Sequence, residues 1–289
     1  MPDWKERLRH LFIAREPELP PSILDSQALR FEQLPVGAKV CIKVSCAYDL
    51  PYPFAVSAAF VAKTVAEILA ANPHLTILMM EGGVGSQPIM QMALRHGLDS
   101  IPNARFVDAE SAETVYVTNP NPTPYRQEGF HLPSVWVEAD VRVLLTTCKL
   151  RSHHFQRWYS GGTRNLIGLL PRSHYKLSAS KRDMRSEMHQ RGVDAMVADL
   201  YATTGRDVLT ILDARLLARQ DEHLPVRFTK PIGKIIVADD PAVADEQMVD
   251  ALDLPFTPPY LAMISKARAQ MAEAIATDKL NAMESTSGL

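Results

Sequence analysis

Cysteine is scarce: Cys41, Cys46 and Cys148 are the only three in 289 residues. Their number is odd and no CxxC occurs, which excludes a disulfide framework, a zinc ribbon and an iron–sulfur cluster held by this chain. Reduced thiols of a cytoplasmic protein are the expectation. An excess of one charge is also missing. A net charge of −2 argues against a nucleic-acid partner held by overall electrostatics, although a local basic patch can still take a small anion. Long uninterrupted apolar runs are absent too. The most apolar long stretch, Phe54–Ala71, carries Lys63 and Glu67, so it reads as a buried helix and not a membrane span. The opening MPDWKERLRHLF is charged and amphipathic and lacks the apolar core of a secretory signal. Neither nucleic acid nor membrane is therefore expected as a partner. No internal repeat, P-loop GK[ST] ending or GxGxxG fingerprint occurs.

What is present is an ordinary globular composition, 46% hydrophobic and 22% charged, with length for one large α/β domain or two small ones. Residues 1–37 read as a helix and a proline-rich linker. Residues 38–277 read as an α/β domain, either one body or two lobes split near 119–133, and 278–289 as a disordered polar tail. Strands are expected at Ala38–Cys46, Leu75–Met80, Ala104–Asp108, Val208–Asp213 and Lys234–Ala238, and Ser134–Val137 and Val141–Thr147 read as two strands or as one broken around Glu138-Ala139-Asp140. Helices are expected at Phe54–Ala71, from Pro88 to near Gly97, at Glu187–Thr203, from Pro241 to about Leu252 with Asp240 as its cap, and at Pro259–Thr277. The alternation predicts an α/β fold: a mainly parallel sheet with helices on both faces. Asn, Pro and Thr dominate 119–133, which reads as an irregular, Pro-rich excursion, a lid or an inserted arm.

The candidate site centres on Val141–His189. A β-branched run ends in Lys149, Arg151, His153 and His154. If strand geometry persists, Lys149, Arg151 and His153 share one face, and like charges so placed call for an anion or for partner carboxylates. Gly161 and Gly162 let backbone approach a ligand. Beside them Arg164 offers a planar fork to a carboxylate or phosphate, and Asn165 both donates and accepts. Glu81-Gly82-Gly83 ends a strand and precedes a helix, at the edge where open α/β sheets take ligands. Cys148 lies among cations that would lower its pKa. His153, His154 and His189, with carboxylates such as Asp213, Asp240 or Asp245, are the candidates for a transition-metal set of iron, nickel or manganese.

These blocks resemble a known family. VRVLLTTCKLRSH (Val141–His153), GGTRNLIGLLP (Gly161–Pro171), HQRGVDAMVADL (His189–Leu200), ILDA (Ile211–Ala214) and DPAVAD (Asp240–Asp245) follow, in order and spacing, the pattern of the domain of unknown function 362 family. Val40–Val44 and Met80–Gly83 fit its opening blocks. Cys148 stands where that pattern has proline, and Arg151 and Arg164 replace lysines. Arginine stays protonated, so at Arg164 the resemblance implies an electrostatic role and not proton transfer. Many members also carry a ferredoxin-like cluster domain, for which this chain has no cysteines. A shorter similarity, through His154 and Ser160-Gly161-Gly162 with Arg164, is to nickel-pincer lactate racemases. It implies a site for a small hydroxy acid or another carboxylate.

The expected function is an enzyme acting on a small carboxylate- or phosphate-bearing metabolite. Lys149 and Arg164 would hold the anion, with Gly82, Gly83, Gly161, Gly162, Asn165 and Arg151 around it. His153 or His154 would transfer protons and His189 would be a second acid/base. Glu81, Asp213 or Asp245 would orient a histidine or bind a metal. Two alternatives stay open: a metal-dependent oxygenase or other oxidoreductase of a specialised biosynthetic pathway, and a non-catalytic accessory protein that holds an anion or cofactor. A homo-oligomer is compatible with the sequence.

Overall fold

The computed structural model describes residues 15–47, 49–83, 88–120, 128–152, 157–175, 192–221 and 227–269. Its framework is a seven-stranded sheet in which β3 (Ala104–Asp108), β2 (Thr76–Glu81), β1 (Lys39–Val44), β6 (Val141–Ser152), β8 (Val208–Asp221) and β9 (Arg227–Ala238) lie side by side in that order. The pairs β1·β2, β2·β3, β1·β6 and β6·β8 are parallel, and β8·β9 is antiparallel. The short β7 (Arg157–Ser160) folds back antiparallel on β6. Since β8 accompanies β6 as far as Ser152↔Asp221, β7 takes the flank of β6 that β1 vacates after Val44.

Both faces of this sheet are covered, as the alternation of strands and helices predicts. On one face Val40, Ile42, Val44, Ile77, Met79, Val143 and Leu145 meet Phe60, Val61, Val65 and Ile68 of helix α1 (Ala58–Ala71). On the other, Cys41, Leu78, Met80, Leu144 and Leu212 meet Met196 and Val197 of α3 (Val193–Leu200), Ala244 and Met248 of α4 (Pro241–Ala251), and Tyr260 and Leu261. Helix α2 (Ile89–Arg95) follows β2 and packs Ile89, Met92 and Ala93 on the α1 side. The cap expected at Asp240 is present: its carboxylate accepts from Ala242 N at 2.7 Å and Val243 N at 3.2 Å, with Pro241 in the first helical turn. A final helix runs over 259–269.

Several elements differ from the sequence expectation. Ser134–Val137 is a helical turn and not a strand. Its β-branched run is too short to set a period, and the turn buries Trp136, whose indole N–H reaches Thr204 Oγ1 at 2.8 Å. The excursion near 119–133 is less irregular than its composition suggests. Gly129–Pro133 is β5, paired antiparallel with an unexpected β4 (Thr114–Thr118) as a separate two-stranded sheet. The strands expected to end at Asp213 and to start at Lys234 are both longer, β8 reaching Asp221 and β9 starting at Arg227, with a register irregularity between Ala214 and Leu216. Arg215, 4% exposed, sits at that irregularity. Helix α1 begins at Ala58 and not Phe54, because the Ser57 hydroxyl accepts from Phe60 N and caps it there. The expected N-terminal helix, the 278–289 tail and the start of the helix expected from Glu187 lie outside the described residues. Among the described residues, no helix is long and apolar enough to cross a membrane.

Candidate functional site

From β1 the sheet grows in two directions, to β2 and β3 on one side and to β6 and β8 on the other. Chain reversal at such a point leaves a crevice at the carboxyl ends of the central strands, where open α/β sheets place ligands. Here that edge holds charge. Lys43, the penultimate residue of β1, lies between Met80 of β2 and Leu144 of β6. Its side chain is 0% exposed and its ammonium is 2.6 Å from Glu81 Oε1, whose side chain is 3% exposed. Lys43 Nζ also donates to Asn165 Oδ1 at 2.9 Å and to its neighbour Val44 O at 3.0 Å. Glu81 accepts in turn from Gly82 N at 2.8 Å and Cys46 N at 3.3 Å. Nearby, Lys149 Nζ donates to Ser45 Oγ at 2.8 Å.

The turn carrying Asn165 is pressed onto this pair. A Cβ on Gly168 would collide with Glu81 Oε1 and lie 2.7 Å from Lys43 Nζ, so glycine is required by proximity. Asn165 Oδ1 accepts from Lys43, and, among the described residues, its buried Nδ2 has no hydrogen-bond partner. Such an amide is unusual in a folded interior and marks a place where a ligand atom or water completes the set. The turn is anchored from behind by Asp245. Its Oδ1 accepts from Gly162 N (2.6 Å) and Tyr159 OH (3.1 Å), and its Oδ2 from Thr163 N (2.9 Å) and Tyr260 OH (3.1 Å). Burial pushes this carboxyl from its ordinary 3.8 up to about 6, against the opposing pull of the bonds from Thr163, Gly162 and Tyr260. Gly161 has no space for a side chain, since a Cβ there would strike Asp245 and Tyr159.

The other expected site residues fall in different places. Arg164 NH1 pairs with Asp194 Oδ1 at 2.9 Å, half-buried behind the turn. Asp213 belongs to a second buried cluster on the α1 face. Arg215 binds it through Nε (2.9 Å) and NH2 (2.7 Å), and Tyr52 OH donates to it at 3.1 Å. Arg215 also reaches Glu16 at 2.9 Å and is stacked near the rings of Tyr52 and Phe60. Burial, then the Asp213 charge, raises the Tyr52 phenol. Asp213 is therefore paired on its own strand and Asp245 is held by hydrogen-bond donors, so among the described residues Glu81 is the one of the three expected acids that meets a lysine at the sheet edge. Gly82 and Gly83 follow Glu81. A Cβ on Gly83 would lie 2.9 Å from the Arg172 guanidinium, which is paired with Glu110 at 3.1 Å. Cys148 departs from expectation: burial and then Asp245 push its thiol up, and Lys149 opposes them only weakly. Cys46 is likewise raised, by burial and then Glu81. Neither thiol is an activated nucleophile.

His153, His154 and His189 lie outside the described residues, as does the Arg151 side chain. Among the described residues, no three His, Cys, Asp or Glu side chains gather as a metal site. The sequence reading missed Lys43, Arg215 and Arg172. Lys43 had a usable signal: a central parallel strand is covered on both faces, so a lysine inside it must be buried and partnered.

The family model described as a domain of unknown function (DUF362) matches residues 40–250 of this chain. That span runs from β1 through most of α4 and includes Lys43, Glu81, Lys149, Asn165 and Asp245. A comparison with curated proteins finds no match.

Proposed function

Because the chain belongs to the domain of unknown function 362 family, whose description names no activity, we propose its function from the chemistry of the edge itself: an enzyme acting on a small anionic metabolite that bears a carboxylate or phosphate. One observation carries this reading. Lys43, Glu81, Asn165 and Lys149 meet at the carboxyl ends of β1, β2 and β6, where the direction of sheet growth reverses. There Lys43 pairs with Glu81 and Lys149 reaches the Ser45 hydroxyl, and, among the described residues, Asn165 offers a buried amide donor with no acceptor. A ligand oxygen satisfies that amide, and an anionic one does so most strongly. Glu81 and Lys43, in direct contact, form a buried ion pair beside the bound anion. Lys149, half-buried and bonded to Ser45, is the cation we assign to the anion. His153 and His154 follow β6 within a few residues and supply the acid/base groups the sequence suggests. Arg164 has a supporting part, holding the turn through Asp194.

Sulfate, standing for phosphate, and malonate, standing for a carboxylate, test this at neutral pH by NMR titration. We expect saturable shifts of the Asn165 side-chain amide with at least one anion. Binding should weaken about tenfold or more in Lys149→Met, the loss of one charge-assisted hydrogen bond. Unsaturable shifts, or equal affinity in the variant, would refute the proposal. Single turnover with candidate acids, compared between wild type and Lys149→Met, then separates an enzyme from a binding protein.

A further inference from the structure

The Asp245 carboxylate is remote in sequence from everything it holds, and it is fully buried. Each of its oxygens takes one backbone N–H and one phenol, so all of its acceptor capacity goes into the Gly161–Thr163 turn and into Tyr159 and Tyr260. Two residues beyond Thr163 stands Asn165, which receives the Lys43 ammonium. We propose that Asp245 is a positioning residue: its ionised form fixes this turn so that Asn165 meets Lys43, and taking up a proton loosens that contact.

The inference rests on the anion-site reading above and gives that site its regulation. A carboxylate accepts on both oxygens, whereas a carboxyl must donate from one. Protonation turns one oxygen into a donor toward its phenol, Tyr159 or Tyr260, and leaves it a weaker, uncharged acceptor for the N–H of Gly162 or Thr163, so that backbone bond is loosened. The surroundings are consistent with such a change close to neutrality. The titratable groups around it are Tyr159 on β7, Tyr260 on the 259–269 helix and Cys148 on β6, and burial raises all three, so they stay neutral. The nearest ion pair, Arg164 with Asp194, acts on Tyr260 with opposing signs. Burial has already raised the Asp245 carboxyl to about 6.

A ligand-free 15N NMR titration from pH 4.5 to 7.5 decides the matter. The amides of Gly162 and Thr163 and the Asn165 side-chain amide should share one transition near pH 6. Exchange of one of the two backbone amides should be at least severalfold faster below it, after correction for intrinsic exchange. The transition should vanish in Asp245→Asn and survive in Asp194→Asn. If Gly162 and Thr163 titrate while Asn165 does not, Asp245 is only a structural anchor and the proposal falls. It falls as well if the transition is lost in Asp194→Asn or if all three signals stay flat. Should Asp245→Asn not fold, wild type and Asp194→Asn alone give these outcomes. A chain that shows the shared transition but binds neither sulfate nor malonate would sink the functional reading and leave the positional coupling standing.

Discussion

Lys43→Met is the most informative single change. It keeps the apolar stem of the side chain and removes only the ammonium, leaving Glu81 with a 3% exposed carboxylate and no Lys43 counter-charge. Breaking one side of a buried ion pair costs on the order of 3–5 kcal/mol. Two features place the expected cost toward the lower end. Glu81 keeps the N–H groups of Gly82 and Cys46, and Lys149 bonds Ser45 next to Cys46. We therefore expect a loss of about 3 kcal/mol at neutral pH, a large share of the ~5–15 kcal/mol by which domains are stable. Glu81→Gln alone strands the ammonium in the same way. In the double variant both charges are gone, so the combined loss should fall about 2 kcal/mol short of the sum. Urea unfolding of the four proteins, read by tryptophan fluorescence, measures this. Losses that add to within about 0.5 kcal/mol would show the groups uncoupled and refute the premise that they form a buried pair.

Other outcomes follow from the same contacts. Gly168→Ala should destabilise by about 1–3 kcal/mol, as overpacking does, because its Cβ collides with Glu81; a neutral result in thermal melts would mean the turn is not pressed onto the pair. Asp245 gives a signed pH dependence. Its folded carboxyl, raised to about 6 from 3.8, holds its proton after the unfolded chain has released it, so its contribution is present below pH 3.8 and lost as pH rises through 6. The stability of wild type minus that of Asp245→Asn should thus fall by about 3 kcal/mol across this window; a flat or rising difference in urea melts contradicts the assignment. Arg215→Met strands Asp213 at 0% exposure and should cost about 3–5 kcal/mol. Arg164→Met breaks a partly exposed pair, 14% and 26%, and should cost about 1 kcal/mol or less; equal losses in the two variants would overturn this ranking.

Much of the architecture was legible before any coordinates. Val40, Ile42 and Val44 alternate, Leu75–Met80 is uniformly apolar, and Asp240-Pro241 spells a helix start. These are local signals, set by side-chain period and cap chemistry, and the observed elements follow them. What misled were short or mixed segments. Four residues at Ser134–Val137 cannot distinguish a helical turn from a strand, and ARLLAR after Asp213 breaks the period at an irregular ladder. The site was half legible. Glu81, Lys149, Asn165 and the paired glycines could be picked out because clustered polar groups and glycines beside a buried-strand pattern stand out from the apolar core around them.

Their partners could not be read in the same way. By itself the sequence determined most of the strands and helices of the central sheet, that the sheet is largely parallel, and several of the polar groups at its edge, because these depend on neighbours a few positions apart. Only the tertiary structure decided that Lys43 lies across from Glu81, that Asp245 serves a turn and not a cation, and that Asp213 answers to Arg215. Each of these depends on strand order and on burial. A carboxylate at the end of a strand looks the same in sequence whether the chain brings it an ammonium, a guanidinium or two backbone amides, and the low dielectric of the interior makes that choice decisive for its charge.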